Sequence, residues 1–188
     1  TFDAHSKLDT MFIPRYRLKR PKPGGISFIC QSGAVGSAVL DLFTAEGYGF
    51  AKFASYGNAS SIDESDLLTE LYKDPQTQVI CMYIEGIING NKFFKIAKLV
   101  SKTKPIIVVK GGKTEVTQKA TLSHTGSLAG NSKVYSGVFK QANLIEADSL
   151  EEMFDIARLL EKSPKPRGSK VLTITNGGGF GIIATDHI

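Results

Sequence analysis

The stretch ISFICQSGAVGSAVLDLFTAEG, residues 26–47, decides the fold. Its first five residues, 26–30, are apolar or β-forming with little alternation, which predicts a strand covered on both faces. The small polar turn QSG at 31–33 then stops the strand, and a helix-length run extends to about residue 46. A strand, a tight turn and a helix in that order form the repeating half of a parallel α/β sheet.

The same unit recurs outward from there. FAKFASYG (50–57) predicts a second strand and 63–72 a helix, with Asp63, Glu64 and Asp66 in its first turn, where the helix dipole favours anions. VICMYI (79–84) and PIIVVK (105–110) predict two further strands, each followed by a helix, at 91–101 and 132–141. LIEA (144–147) predicts a short fifth strand. Ser149 then opens SLEE, a capping box with Glu152, and a helix to about residue 161. Five β–α repeats predict an α/β fold: a doubly wound, flavodoxin-like parallel sheet over residues 24–161.

The flanks read differently. Residues 1–23 read as a linker, and the basic run RYRLKRPKPGG at 15–25 as solvated, extended chain rather than a nucleic-acid arm. KSPKPRGS (162–169) has the Pro, Gly and charge content of a second linker. VLTIT (171–175) predicts a strand leading through NGGGFG into a helix, so 170–188 read as the start of a second α/β domain.

Composition narrows the class. The 188 residues are 41% hydrophobic and 22% charged, enough for one cored domain and part of another, and unlike a disordered chain. The net charge of +5 is mild and carries no argument for nucleic acid. There is no run of 18 apolar residues, so no membrane span is expected. Cys30 and Cys81 sit in apolar runs and read as reduced core thiols of a cytoplasmic protein. No Cys or His spacing suggests a metal site, and none is expected on this chain.

Ligands of open parallel sheets gather outside the carboxyl ends of the strands. Four segments fall there: QSGAVG (31–36), SYGNASSID (55–63), EGIING (85–90) and GGKTEVTQKATLSHTGSLAG (111–130). Small residues at a helix start let backbone N–H groups approach an anion, which makes Gln31, Ser32, Gly33 and Ala34 one candidate phosphate cradle and Gly177, Gly178 and Gly179 another. A carboxylate beside a neutral imidazole fixes its tautomer and raises the basicity of the other nitrogen, so Glu85 and His124 form a candidate nucleophilic pair. The order Ser32, Glu85, His124 is also that of an α/β-hydrolase triad. The nucleophile elbow of that fold reads G-x-S-x-G, however, and here Cys30 and Ala34 replace both glycines.

Taken together, LKRPKPGGISFICQSGAVGSAVLD, YGNASSIDESDLL, YIEGI, ATLSHTGSLAG and TNGGGFGIIATD resemble the NDP-forming acyl-CoA synthetases, relatives of succinyl-CoA synthetase, from about Leu18 to the chain end. Within that family the likeness is to the α-type part of the ADP-forming acetate–CoA ligases. The resemblance implies an acid–thiol ligase that interconverts acyl-CoA, ADP and phosphate with carboxylic acid, CoA and ATP, using Mg²⁺. It implies that His124 is the residue phosphorylated during turnover and that Glu85 orients it. It implies that the helix starts at Gln31–Gly33 and Gly177–Gly179 hold phosphate. Gly57, Asn58, Ser123, Thr125 and Gly126 are placed near the substrate. It also implies a CoA-binding domain and an ATP-grasp domain or subunit as partners, and an oligomer. The family's CoA-binding domain and ATP-grasp part are absent from these 188 residues, so the chain alone is not expected to complete a turnover. The alternative within the same fold is a regulatory module that binds acyl-CoA or phosphate without turnover; relatives of that kind lack the histidine.

Overall fold

A computed structural model describes residues 1–113, 131–164 and 168–188. At its centre β3 (Lys22–Cys30) runs between β4 (Gly49–Ser55) and β5 (Val79–Ile84), all parallel. Beyond β5 the sheet continues in parallel through β6 (Ile106–Lys110) and β7 (Ile145–Glu146). Numbered by chain order, these five strands stand 2-1-3-4-5, the flavodoxin order predicted.

The sheet is doubly wound because its strands are apolar on both faces. On one face Ile26, Phe28, Cys30, Val79, Cys81 and Ile107 meet α1 (Gly33–Ala45) and α5 (Leu150–Lys162). On the other, Ile29, Ile80, Met82 and Val108 meet α2 (Glu64–Lys73), α3 (Gly90–Val100) and α4 (Ser132–Gln141). An aromatic cluster locks the first face: the Phe154 ring lies 5.4 Å edge-on from Phe28 and 3.8 Å from Phe43, centroid to centroid.

Local chemistry explains the helix starts. Ser32 caps α1, its Oγ accepting from the Val35 N–H at 3.3 Å. Asp63 caps α2 and forms a reciprocal box with Asp66. At α5 the predicted box is half formed. Ser149 Oγ accepts from Glu152 N at 3.1 Å, while the Glu152 carboxylate reaches one residue further back, to the Asp148 N–H at 2.7 Å.

Two expectations are corrected. Residues 1–23 are not a solvated linker. β1 (Phe2–Asp3) and β2 (Leu8–Asp9) extend the sheet antiparallel beside β4, which makes it mixed and seven-stranded. Phe2 and Leu18 are buried against that face, and Arg20, within the basic run, is an internal ion-pair partner of Asp9 at 3.0 Å. The predicted strand at 171–175 is also absent. Val171, Leu172 and Ile174 are exposed and pair with no strand among the described residues, and an extended segment becomes a strand only when a neighbour accepts its ladder. α6 (Gly178–Asp186) follows it and buries no residue.

Strand β3 begins four residues earlier than predicted, at Lys22. Pro23 lies at a register shift, where its missing N–H is tolerated. Gly24 and Gly49 make the close approach there: a Cβ on Gly24 would stand 2.4 Å from the Gly49 carbonyl carbon.

Candidate active site at the carboxyl ends of the strands

The chain leaves β3 toward β4 over one face and returns to β5 over the other. The crevice at that switch point lies outside the carboxyl ends of β3 and β5. Gln31 directly follows β3, Glu85 directly follows β5 and Lys110 ends β6. All three are buried, at 5%, 9% and 3% exposure.

The turn Glu85–Gly86–Ile87 is held by side chains from three other elements. Gln31 Oε1 accepts from the N–H of Glu85 at 2.6 Å and of Gly86 at 3.0 Å. Tyr135 Oη, from α4, accepts from the Ile87 N–H at 3.1 Å. The Lys110 ammonium donates to the Glu85 carbonyl at 2.8 Å and to the Gly111 carbonyl. Gly111 N–H in turn donates to the Ile84 carbonyl at 2.9 Å.

The carboxylate is held separately. Tyr83 Oη donates to Glu85 Oε1 at 3.2 Å, which leaves Oε2 for a second donor. Burial, and then the Glu85 charge, push the Tyr83 phenol up to about 12, so it stays a donor at any physiological pH. Gly111 makes this contact possible: a Cβ there would lie 2.6 Å from Tyr83 Oη. Burial lowers the Lys110 pKa, and the charge of Glu85 opposes that shift.

Beside this turn stands the start of α1. Ser32 is half-buried, with its hydroxyl used as the cap, while Gly33 and Ala34 are exposed. Their N–H groups belong to the first turn, which has no intrahelical acceptors, and they sit next to the residue that binds Glu85. Cys30 lies beneath, its Sγ donating to the Ser32 carbonyl at 2.9 Å, and burial pushes its thiol up to about 12. Such a thiol is inert at neutral pH.

The remaining predicted residues are dispersed. Gly57 has a left-handed φ of 58°, and Asn58 beside it is exposed. Gly177 precedes α6, and no described atom lies within 4 Å of where a side chain of Gly178 or Gly179 would stand. Ser123, His124, Thr125 and Gly126 lie outside the described residues. No group of three or more His, Cys, Asp or Glu side chains among the described residues is arranged to hold a metal ion. None of the described helices is long and apolar enough to cross a membrane.

Sequence reasoning missed Tyr83, Lys110 and Tyr135. The available signal was Lys110, a charged residue closing the apolar strand IIVVK in place of a fifth hydrophobe. Tyr83 also stands two residues before Glu85, the spacing that puts strand residues on one face; nothing in local spacing pointed to Tyr135.

Fold and site together define an open α/β sheet protein with an exposed helix start and an oriented carboxylate at its switch point. A family model described as "Succinyl-CoA ligase like flavodoxin domain" matches residues 23–160, and the chain belongs to that family. It is 46% identical over 181 residues to the acetate–CoA ligase [ADP-forming] I subunit alpha of Pyrococcus furiosus, covering 96% of this chain and 38% of that one. It is also 46% identical to the acetate–CoA ligase [ADP-forming] of Methanocaldococcus jannaschii, covering 98% of this chain and 25% of the relative. Among solved structures it matches the dinucleotide forming acetyl-coenzyme A synthetase 1 of Ca. Korarchaeum cryptofilum in complex with phosphate and ADP. The TM-score is 0.90 at 41% identity, over 98% of this chain and 39% of that one. The chain thus spans well under half the length of these relatives.

Proposed function

We propose that this chain is the part of an ADP-forming acyl-CoA ligase that receives and hands on a phosphoryl group. The observation that carries the reading is the double acceptance by Gln31, which fastens the Glu85 turn directly beside the exposed first turn of α1. An orienting carboxylate and a set of aligned N–H donors are thereby held against each other, as phosphoryl transfer to a histidine requires.

In this reading phosphate displaces CoA from acyl-CoA to give acyl phosphate. A nitrogen of His124 then attacks phosphorus, the P–O bond to the acyl group breaks, and the carboxylic acid leaves. Glu85 Oε2 accepts the N–H of the opposite ring nitrogen, which fixes the tautomer. The N–H groups of Gly33 and Ala34 hold the phosphate oxygens. The phosphoryl group finally passes to ADP, with Mg²⁺ supplying charge neutralisation at the nucleotide phosphates. Nucleotide and Mg²⁺ are assigned to an ATP-grasp part, and CoA to a CoA-binding domain, both outside residues 1–188. Residues 170–188, with Gly177–Gly179 at a helix start, belong in this reading to a further α/β unit that offers a second phosphate cradle. The acid is a small carboxylate, and the protein acts as an oligomer in the cytoplasm.

The test is labelling of the complete enzyme with γ-phosphate-labelled ATP and Mg²⁺. Acid-labile, base-stable phosphate should appear on the wild type and be absent from His124→Ala. Equal labelling of the two would overturn the assignment, and no labelling of either would indicate a regulatory module.

A further inference from the structure

The Lys110 ammonium is a costly group to place where it is. It is 3% exposed, and among the described residues it makes no direct ion pair with a carboxylate, the Glu85 charge acting on it only through space. A buried cation of this kind persists only if its protons are met. Here the acceptors are the carbonyls of Glu85 and Gly111, and the Tyr135 ring lies beneath it, 4.8 Å from ring centroid to Nζ. These partners close the ammonium off from a ligand. A methionine would fill the same volume without the desolvation penalty, so packing does not explain the charge.

What the charge joins is specific. One carbonyl belongs to the residue whose carboxylate the site presents, and the other to the first residue after β6, Gly111, which makes room for the Tyr83 hydroxyl on that same carboxylate. Tyr135, beneath the cation, takes the N–H of Ile87.

We infer that Lys110 is a positioning residue for Glu85: its ammonium locks the Glu85 and Gly111 turns into one register, so that the Tyr83 bond and the free Oε2 are aimed before substrate arrives. The inference rests on the proposed role of Glu85 in orienting a histidine. Lys110 acts through Glu85 and touches no reacting atom.

The experiment is single-turnover phosphohistidine formation in the complete enzyme, using labelled ATP and Mg²⁺, for Lys110→Met, Glu85→Gln and the double variant. Lys110→Met should slow labelling on the order of 10- to 100-fold, because a displacement of about 1 Å at a positioned group has that effect. The KM for ATP should stay unchanged and thermal unfolding should remain cooperative. The double variant should be no slower than Glu85→Gln alone, since groups that act as one unit do not lose rate independently. A wild-type rate for Lys110→Met beside a slow Glu85→Gln overturns the role of Lys110 alone, and so do losses that multiply in the double variant. A wild-type rate for Glu85→Gln overturns the orienting role of Glu85 and this inference with it. Should Lys110→Met fail to fold, Lys110→Gln, which retains donors for one carbonyl, carries the same comparison.

Discussion

Two buried glutamates stand near the carboxyl edge of the sheet and are treated in opposite ways. Glu85 has its N–H, its carbonyl and one carboxylate oxygen each met by a different side chain: Gln31, Lys110 and Tyr83. Glu64, at the first turn of α2, is 1% exposed; among the described residues its Oε1 makes no hydrogen bond of good geometry, although the Tyr56 hydroxyl stands close enough to lower its pKa, and Ser65 Oγ is buried without a partner. Burial is the main cause that raises the Glu64 pKa, and Asp63 adds to it. The difference teaches that burial alone does not identify a working carboxylate. What separates the two is that the described surroundings of Glu85 fix its geometry while leaving one oxygen without a partner among the described residues.

Three substitutions break or sharpen that contrast. The largest effect is expected from Glu85→Gln, which should slow phosphohistidine formation in the complete enzyme on the order of 100-fold, because one amide cannot hold both Tyr83 and an imidazole N–H as a carboxylate does. Thermal unfolding of the same variant should shift by only a few degrees. Labelling at the wild-type rate would place Glu85 with Glu64 as a structural group.

Gly111→Ala should come next. Its Cβ would sit 2.6 Å from Tyr83 Oη, so the tyrosine must give way. The expected loss is about 2 kcal/mol of stability, the usual cost of overpacking, together with roughly tenfold in rate as Glu85 Oε1 is released. Denaturant unfolding and single-turnover labelling measure the two parts. If stability falls and the rate does not, the Tyr83 contact is dispensable for aiming Glu85.

The smallest effect concerns Glu64→Gln, and it should stabilise. A carboxyl whose folded pKa is raised above its unfolded value favours folding most below the unfolded pKa and loses that advantage as pH rises through the folded one. The ordinary value is 4.5, so the wild type should weaken progressively above about that pH, and the variant should not. A gain of about 1 kcal/mol at pH 7 that vanishes below pH 4.5 is the expected outcome. A loss of stability at pH 7 would mean that the ionised carboxylate is used.

Much of the fold was legible because it is written in short-range patterns. The strand at 26–30 is apolar but for Ser27 because both faces are covered, and Ser149 announces its helix by the same oxygen-to-N–H bond that the structure contains. β1 and β2 were not legible, because two-residue strands carry no periodicity and exist only through pairing, β1 with β4 and β2 with β1. At 171–175 the β-forming composition predicts a strand, but no neighbour among the described residues accepts its ladder.

For the candidate site, the sequence by itself determined which groups stand at strand ends. Gln31, Glu85 and Lys110 each close an apolar run, and a doubly wound sheet brings such ends to one edge. It also determined family membership, through motifs in fixed order. Only the tertiary structure decided what those groups do to one another. That Gln31 spends its side-chain oxygen on the Glu85 turn and that Lys110 bridges Glu85 to Gly111 are matters of strand register and side-chain direction. The physical reason is that a hydrogen bond needs its partners within about 3 Å. Contacts between residues 25 to 54 positions apart are set by how the sheet pairs, which no local spacing encodes.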